Sequence, residues 1–187
     1  AAACVVAAYL AAGWLLSVVK RDVSIVDSLW SLFFLLAVVV YAVNSATSEP
    51  RATIVLILVT LWALRLAGYL TWRNWGEPED RRYQAIRARN EPGFAWKSLY
   101  LVFGLQAILA WAISAPLAAA IASPQPVGLL DAVGAALVLG GLVFESAADA
   151  QLARGRQRHR LELGLERVDR LAGTQMLQHL QHLLGRN

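Results

Sequence analysis

The chain has 187 residues, of which 58% are hydrophobic and only 16% charged, against about 25% charge in an ordinary soluble domain. The apolar residues fall in runs of about 20, the length that crosses a hydrocarbon core of ~30 Å, so an ordinary soluble globule is excluded. The net charge is +4, but most basic residues sit in short stretches between the apolar runs, which excludes a nucleic-acid surface.

Span 1 is predicted at Ala2–Val19 and carries no charge. No basic segment precedes it and the run is too long for a signal-peptide core. Its lone Cys4 reads as a small packing residue. Lys20, Arg21 and Asp22 end it. Span 2 is predicted at Ser24–Val43, with Asp27 one turn inside. A polar loop from Asn44 to Arg51 follows, with turn residues and Pro50. Span 3 covers Ala52–Trp72 and contains Arg65. The segment Arg73–Pro92 is read as a polar loop of mixed charge. Span 4 covers Phe94–Ala122, long enough to tilt or to become irregular at Pro116. Ser123, Pro124, Gln125 and Pro126 form a tight loop. Span 5 covers Val127–Leu152, with Glu145 and Asp149 near its end. The rest is a polar tail with helical spacing at Leu177, Leu180 and Leu184. His159, His179 and His182 lie in that tail without a cysteine or acidic partner at ligand spacing, so no metal site is expected. The predicted class is all-α: a polytopic transmembrane bundle of about five spans over 1–153, then a basic tail over 154–187.

Orientation follows from the basic residues. The 1–2 loop has two, the 2–3 loop one, the 3–4 segment six, the 4–5 loop none and the tail seven. High and low counts alternate, so the positive-inside rule puts the N-terminus outside and the 3–4 loop and tail in the cytoplasm. Trp72, Trp75 and Trp96 flank the inner loop, where an aromatic belt belongs.

Ionisable groups inside spans face protein or a water-filled cavity. Asp27, Arg65, Glu145 and Asp149 all fall toward the inner ends. Two readings stand: an Asp27–Arg65 structural ion pair, or a polar pocket open to the cytoplasm. Glu145 and Asp149 are four apart on one helical face, which suits either a shared cationic or hydroxyl partner or two solvated charges. Arg73 to Tyr83 combines arginines with aromatic residues. That composition suits phosphate or carboxylate recognition, and equally an anchor on lipid headgroups.

Several segments together resemble a known family. Asp22-Val23-Ser24-Ile25-Val26-Asp27-Ser28-Leu29-Trp30 resembles the second-span signature of bacterial steroid 5-alpha-reductase-like membrane proteins, the group labelled DUF1295. Leu64-Arg65-Leu66 with Trp75-Gly76-Glu77-Pro78-Glu79-Asp80-Arg81-Arg82-Tyr83 resembles its third span and loop. Phe144-Glu145 with Asp149-Ala150-Gln151-Leu152 resembles its fifth-span end. The likeness covers about residues 10–155. It implies an NADPH-dependent reductase of a lipid or steroid-like enone in a bacterial inner membrane. Asp27 then falls where such enzymes carry a carboxylate that holds the substrate carbonyl. Trp62 lies near their carbonyl-binding tyrosine, for which Tyr69 and Tyr83 are the substitutes here. The resemblance implies Asp27, Tyr69 and Tyr83 as catalytic groups, and Trp30, Trp62 and Arg65 as substrate-binding groups. The implied cofactor contacts are Arg81, Arg82, Glu145, Asp149 and Arg154.

One part departs from the pattern. After about Arg154 such proteins carry an arginine-tyrosine-arginine-histidine-proline-asparagine-tyrosine run and two more spans. Here the last aromatic residue is Phe144, and an incomplete version of the larger bundle is expected. A non-catalytic five-span interaction protein and a methyltransferase-like relative are the alternative expectations.

Overall fold

The structure is a computed structural model that describes residues 2–45 and 50–184, with side chains described except at 2, 3, 159, 160 and 162–184. The described residues are helical and contain no strand. The chain divides into two units, 1–138 and 139–187.

In the first unit, α1 spans Ala2–Lys20 and α2 Ile25–Asn44. Then come α3, Pro50–Asn74, and a short α4, Arg81–Asn90. A run from Phe94 to Ala122 consists of α5 (Phe94–Ser98), a π-helical stretch (Leu99–Gly104) and α6 (Leu105–Ala122). Helix α7 begins at Leu129 and passes into the second unit, ending at Leu184. Among the described residues, four helical segments are long and apolar enough to cross a membrane: Ile25–Asn44, Pro50–Asn74, Phe94–Ala122 and Leu129–Arg158. The apolar part of α1, Cys4–Lys20, is a shorter one. The chain is an integral membrane protein of polytopic all-α design, its helices standing where the five runs predict them.

Helix α2 is the hub and packs on α1, α3 and α6. Phe33 and Phe34 are buried with Ala110, and Tyr9, Trp30, Val59 and Trp62 pack around them. The approach of α1 to α2 is close because Gly13 has no side chain; a Cβ there would sit 2.6 Å from Leu29 Cδ1. The register of α2 against α3 is fixed by Ser31, whose hydroxyl donates to the Ala63 carbonyl at 3.1 Å. Ser114 of α6 shares a 2.7 Å hydrogen bond with the Tyr41 hydroxyl of α2. Among the described residues, every buried side-chain nitrogen or oxygen has a partner, as a medium without water demands.

At the 2–3 and 4–5 loop end, Arg51 closes the bundle. Its guanidinium holds both Asp131 oxygens, at 2.6 and 2.9 Å, and bonds Ser123 Oγ at 2.6 Å and the Pro126 carbonyl at 3.0 Å.

Three expectations need correction. Helix α6 continues through Pro116; the irregular stretch is instead the π-helical Leu99–Gly104. Proline lacks the amide that would bond the Ala112 carbonyl, and membrane helices tolerate such a loss because neighbouring groups and local adjustments satisfy the freed carbonyl. The segment Arg73–Pro92 is not all loop, since α4 occupies half of it. Cys4, read as a packing residue, is exposed.

The second unit is helical throughout its described backbone. Helix α7 runs past Arg154 without a break, and the 30 residues from Leu129 contribute nothing to a buried core. The side chains of His159, His179, His182, Leu177, Leu180 and Leu184 lie outside the described residues.

Candidate functional site

Asp80 starts the site by starting a helix. Its side chain accepts from the Arg82 amide at 2.9 Å and caps α4. Asp is among the best residues for that task, because its oxygen satisfies an amide the helix cannot. The cap sets Arg82 and Tyr83 on the first turn and turns them back toward α2.

The loops before α2 and α4 are then laced together. Ser24 precedes α2 but does not cap it; its hydroxyl oxygen accepts from the Asp80 amide at 2.7 Å. Glu79 Oε1 accepts from the Val23 amide at 2.8 Å. Arg87 grips Glu79 with two bonds, Nε to Oε2 at 2.9 Å and Nη2 to Oε1 at 2.8 Å. The Arg87 guanidinium also lies 4.7 Å from the centre of the Phe94 ring, and Nη2 donates to the Arg21 carbonyl at 3.3 Å.

This lacing brings Tyr83 and Arg82 onto Asp27. The Tyr83 hydroxyl donates to Asp27 Oδ1 at 2.6 Å. Arg82 Nη2 donates to Oδ2 at 3.0 Å. Each oxygen of one carboxylate therefore holds a different donor, and both donors lie 55 or more positions away in sequence. The Tyr83 ring is buried with Val23, Val26, Phe94, Val102 and Phe103. Arg82 is exposed, with 67% of its side chain accessible against 20% for Asp27. Its Nε also bonds Asp80 Oδ1 at 3.0 Å.

The electrostatics follow from this geometry. Burial raises the Tyr83 phenol above its ordinary value, and the hydrogen bond to Asp27 and that carboxylate's charge add to the rise. Tyr83 is thus a neutral donor at ordinary pH, not a base. Hydrogen bonds to its carboxylate from the Arg82 guanidinium and the Arg82 backbone amide hold Asp80 below the usual carboxylate value. Burial pushes Glu79 up, but the bonds from Arg87 and the Val23 amide and the charge of Arg87 outweigh it, and the net shift is downward.

The structure thus brings together Asp27, Tyr83 and Arg82. Arg65 is not the ionic partner of Asp27; Arg82 takes that place, because α4 folds back over the start of α2. Arg65 instead lies over Tyr69, 5.7 Å from the ring centre, with Arg73 at 5.9 Å from the same ring. Among the described residues no hydrogen bond or ring contact joins Tyr69 to Asp27. Trp30 and Trp62 flank Phe34 at ring distances of 5.4 and 5.6 Å, both edge to face. Beside Trp30 is an apolar crevice of about 20 Å³, room for a single water-sized group. Arg81 is exposed on the first turn of α4. In the second unit, Glu145 and Arg154 are exposed and Asp149 is partly covered. Glu145 and Asp149 share one face of α7.

Sequence reasoning missed Ser24, Glu79, Asp80 and Arg87 as the parts that hold the site. A signal for α4 was present: Pro78 and Glu79 before a capping Asp80, then residues of good helix propensity.

A family model described as protein of unknown function (DUF1295) matches residues 13–164. No curated protein matches the chain, and no solved structure does.

Proposed function

The chain belongs to the DUF1295 family, and from that premise we propose that it is a membrane-embedded reductase of a lipid-soluble enone, with Asp27 and Tyr83 meeting the substrate carbonyl. The observation that carries this reading is the 2.6 Å bond between the Tyr83 hydroxyl and Asp27 at the end of a membrane span. Oriented donors aimed at an oxygen that gains charge are the strongest device an enzyme has for such a reaction.

Tyr83 is the donor. Its proton is retained at ordinary pH, because burial and the neighbouring carboxylate both raise the phenol. A carbonyl oxygen arriving beside it competes with Asp27 for that proton's hydrogen bond. As the β-carbon of the enone is reduced, negative charge moves to the oxygen, and the bond from Tyr83 tightens. Asp27 orients the phenol, and Arg82 balances the carboxylate from the solvent side.

The reduced nicotinamide cofactor named by the resemblance, NADPH, supplies the hydride when bound. The donor set in the first unit suits its phosphates. Arg81 and Arg82 stand exposed on one helical turn, and Arg82 has Nη1 left for a further acceptor after its bonds to Asp27 and Asp80. Glu145, Asp149 and Arg154, in the second unit, keep their expected cofactor role as part of this proposal. The basic 3–4 loop and tail lie on the cytoplasmic side in this reading, where such a cofactor is available.

The test is cofactor binding and enone-dependent oxidation of NADPH by the full chain in lipid nanodiscs. Asp27→Asn and Tyr83→Phe should each lower turnover by about 10²-fold or more, with cofactor binding retained. Absence of NADPH binding by the wild-type chain would overturn the reading for this protein.

A further inference from the structure

Helix α1 ends on an arginine at a position that glycine usually fills. The Asp22 amide bonds the Ser17 carbonyl at 3.1 Å and the Arg21 amide bonds the Val18 carbonyl at 3.3 Å. That pair of bonds closes a helix through one left-handed residue. Here the residue is Arg21, with a φ of 53°. Glycine takes this conformation freely, whereas a residue with a Cβ does so at a cost. The backbone gives no reason for an arginine, so the reason is sought in its side chain.

Arg21 lines a pocket of about 580 Å³ together with Ser17, Arg87, Glu91, Phe94 and Ser98, a volume within the range of ligand sites. Among the described residues its guanidinium has no hydrogen bond or ion pair. Arg87 spends Nε and Nη2 on Glu79 and the Arg21 carbonyl and keeps Nη1 for a further acceptor. Glu91 supplies the opposite charge; one of its oxygens accepts from the Phe94 amide at 3.5 Å. Ser17 and Ser98 are buried. Their hydroxyls donate to the Trp14 and Ala95 carbonyls, so their oxygens remain as acceptors. The pocket therefore holds donors for an anion and acceptors for an ammonium. It lies where α1 ends and the Phe94–Ala122 span begins, the level of lipid headgroups. Trp96, next in the chain to the pocket residue Ala95, is exposed and lies 5.0 Å from the Trp14 ring, as aromatic residues do at that boundary. Val18 of the pocket and Leu15, three residues deeper, are exposed on one face of α1 and extend an apolar track into the bilayer.

We propose that this pocket seats the headgroup of one aminophospholipid, its phosphate on Arg21 and Arg87 and its primary ammonium on Glu91. Charge complementarity selects the occupant. A phosphatidylglycerol headgroup brings no cation for Glu91, and the quaternary ammonium of phosphatidylcholine has no N–H to donate to it. The acyl chains follow Val18 and Leu15. The site is separate from the Asp27–Tyr83 pair: Val23 and Phe94 line the pocket and also pack against the Tyr83 ring, so they form the wall between the two.

The experiment is native mass spectrometry of the full chain, released from nanodiscs of phosphatidylethanolamine, phosphatidylglycerol and phosphatidylcholine with matched acyl chains. Wild type should retain one phosphatidylethanolamine at least five-fold over either other lipid. Arg21→Gly relieves the left-handed backbone and keeps the carbonyl that Arg87 uses. Its unfolding midpoint in lipid-free detergent should equal or exceed that of wild type, while retention of phosphatidylethanolamine falls several-fold. Glu91→Gln should keep a bound lipid and lose the preference for phosphatidylethanolamine over phosphatidylglycerol. Millimolar glycerophosphoethanolamine, the headgroup without chains, should leave the bound lipid in place. Equal retention of the three lipids by wild type, or an undiminished lipid in Arg21→Gly, would overturn the proposal. A lowered midpoint in Arg21→Gly would overturn it by making the arginine a structural piece, and displacement by the soluble headgroup would overturn it by assigning the pocket to a soluble phosphoamine.

Discussion

At the scale of single residues, the Asp27 carboxylate organises its end of the molecule. It accepts one bond from a buried phenol and one from an exposed guanidinium, and the two differ in worth. The Tyr83 bond is sheltered and made to a charged group, a class that contributes about 1.5–3 kcal/mol. The Arg82 pair is mostly solvated and contributes at most about 1 kcal/mol. Tyr83→Phe keeps the buried ring and removes only the hydroxyl, so it should cost about 1–3 kcal/mol, read as a lowered unfolding midpoint in mild detergent. Arg82→Gln should cost clearly less, and a reversal of that order would contradict the ranking. Glu79 and Asp80 add a dependence on acid. Both titrate below their ordinary values of 4.5 and 3.8, so the unfolded chain takes up protons first. Their stabilisation is complete above about pH 4.5 and is lost as the pH falls through the lowered folded values. The unfolding midpoint should therefore drop below about pH 4, and Glu79→Gln should flatten that drop. An unchanged slope in the variant would place the acid sensitivity elsewhere.

At the scale of elements, α4 is short, polar and held by its first turn. Removing the cap with Asp80→Ala should cost about 0.5–2 kcal/mol and raise amide exchange across residues 81–90, while α2 and α3 keep their protection. Uniform exchange across all three helices would mean that α4 is not a separate docking unit. The membrane helices obey a different rule. Where α1 crosses α2, Gly13 is the contact, and a larger side chain must displace Leu29. Gly13→Ile should cost about 1–3 kcal/mol by overpacking, measured in the same unfolding assay. Ala should be tolerated better, because the end of the Leu29 side chain can turn aside.

At the scale of the whole molecule, the chain is an integral membrane protein, with four long apolar helices and one shorter one among the described residues. From the alternation of basic loops we propose that the α4 loop faces the cytoplasm. In a Cys4→Ala background, Arg89→Cys should react with an impermeant thiol reagent only after the cells are opened; reaction in intact cells would invert the orientation. The helices were legible in the sequence because a membrane span is a local property. Each must be about 20 apolar residues long and must satisfy its own backbone, so Ile25–Asn44 or Phe94–Ala122 can be read without knowing any neighbour. Asp27 and Tyr83 were also legible as chemical groups, one a charge inside a span and the other an aromatic beside arginines. Their meeting was not. It depends on Asp80 capping α4, on Ser24 and Glu79 tying two loops together, and on Arg82 displacing Arg65 as the ion-pair partner. Apart from the cap, those contacts join residues more than 50 positions apart and have no period or spacing to announce them. The sequence by itself determined that this protein lives in a membrane, because burial in lipid is a matter of local composition. Only the tertiary structure decided that Asp27 faces Tyr83 and Arg82, because that choice is made by the return of one loop over the end of another helix.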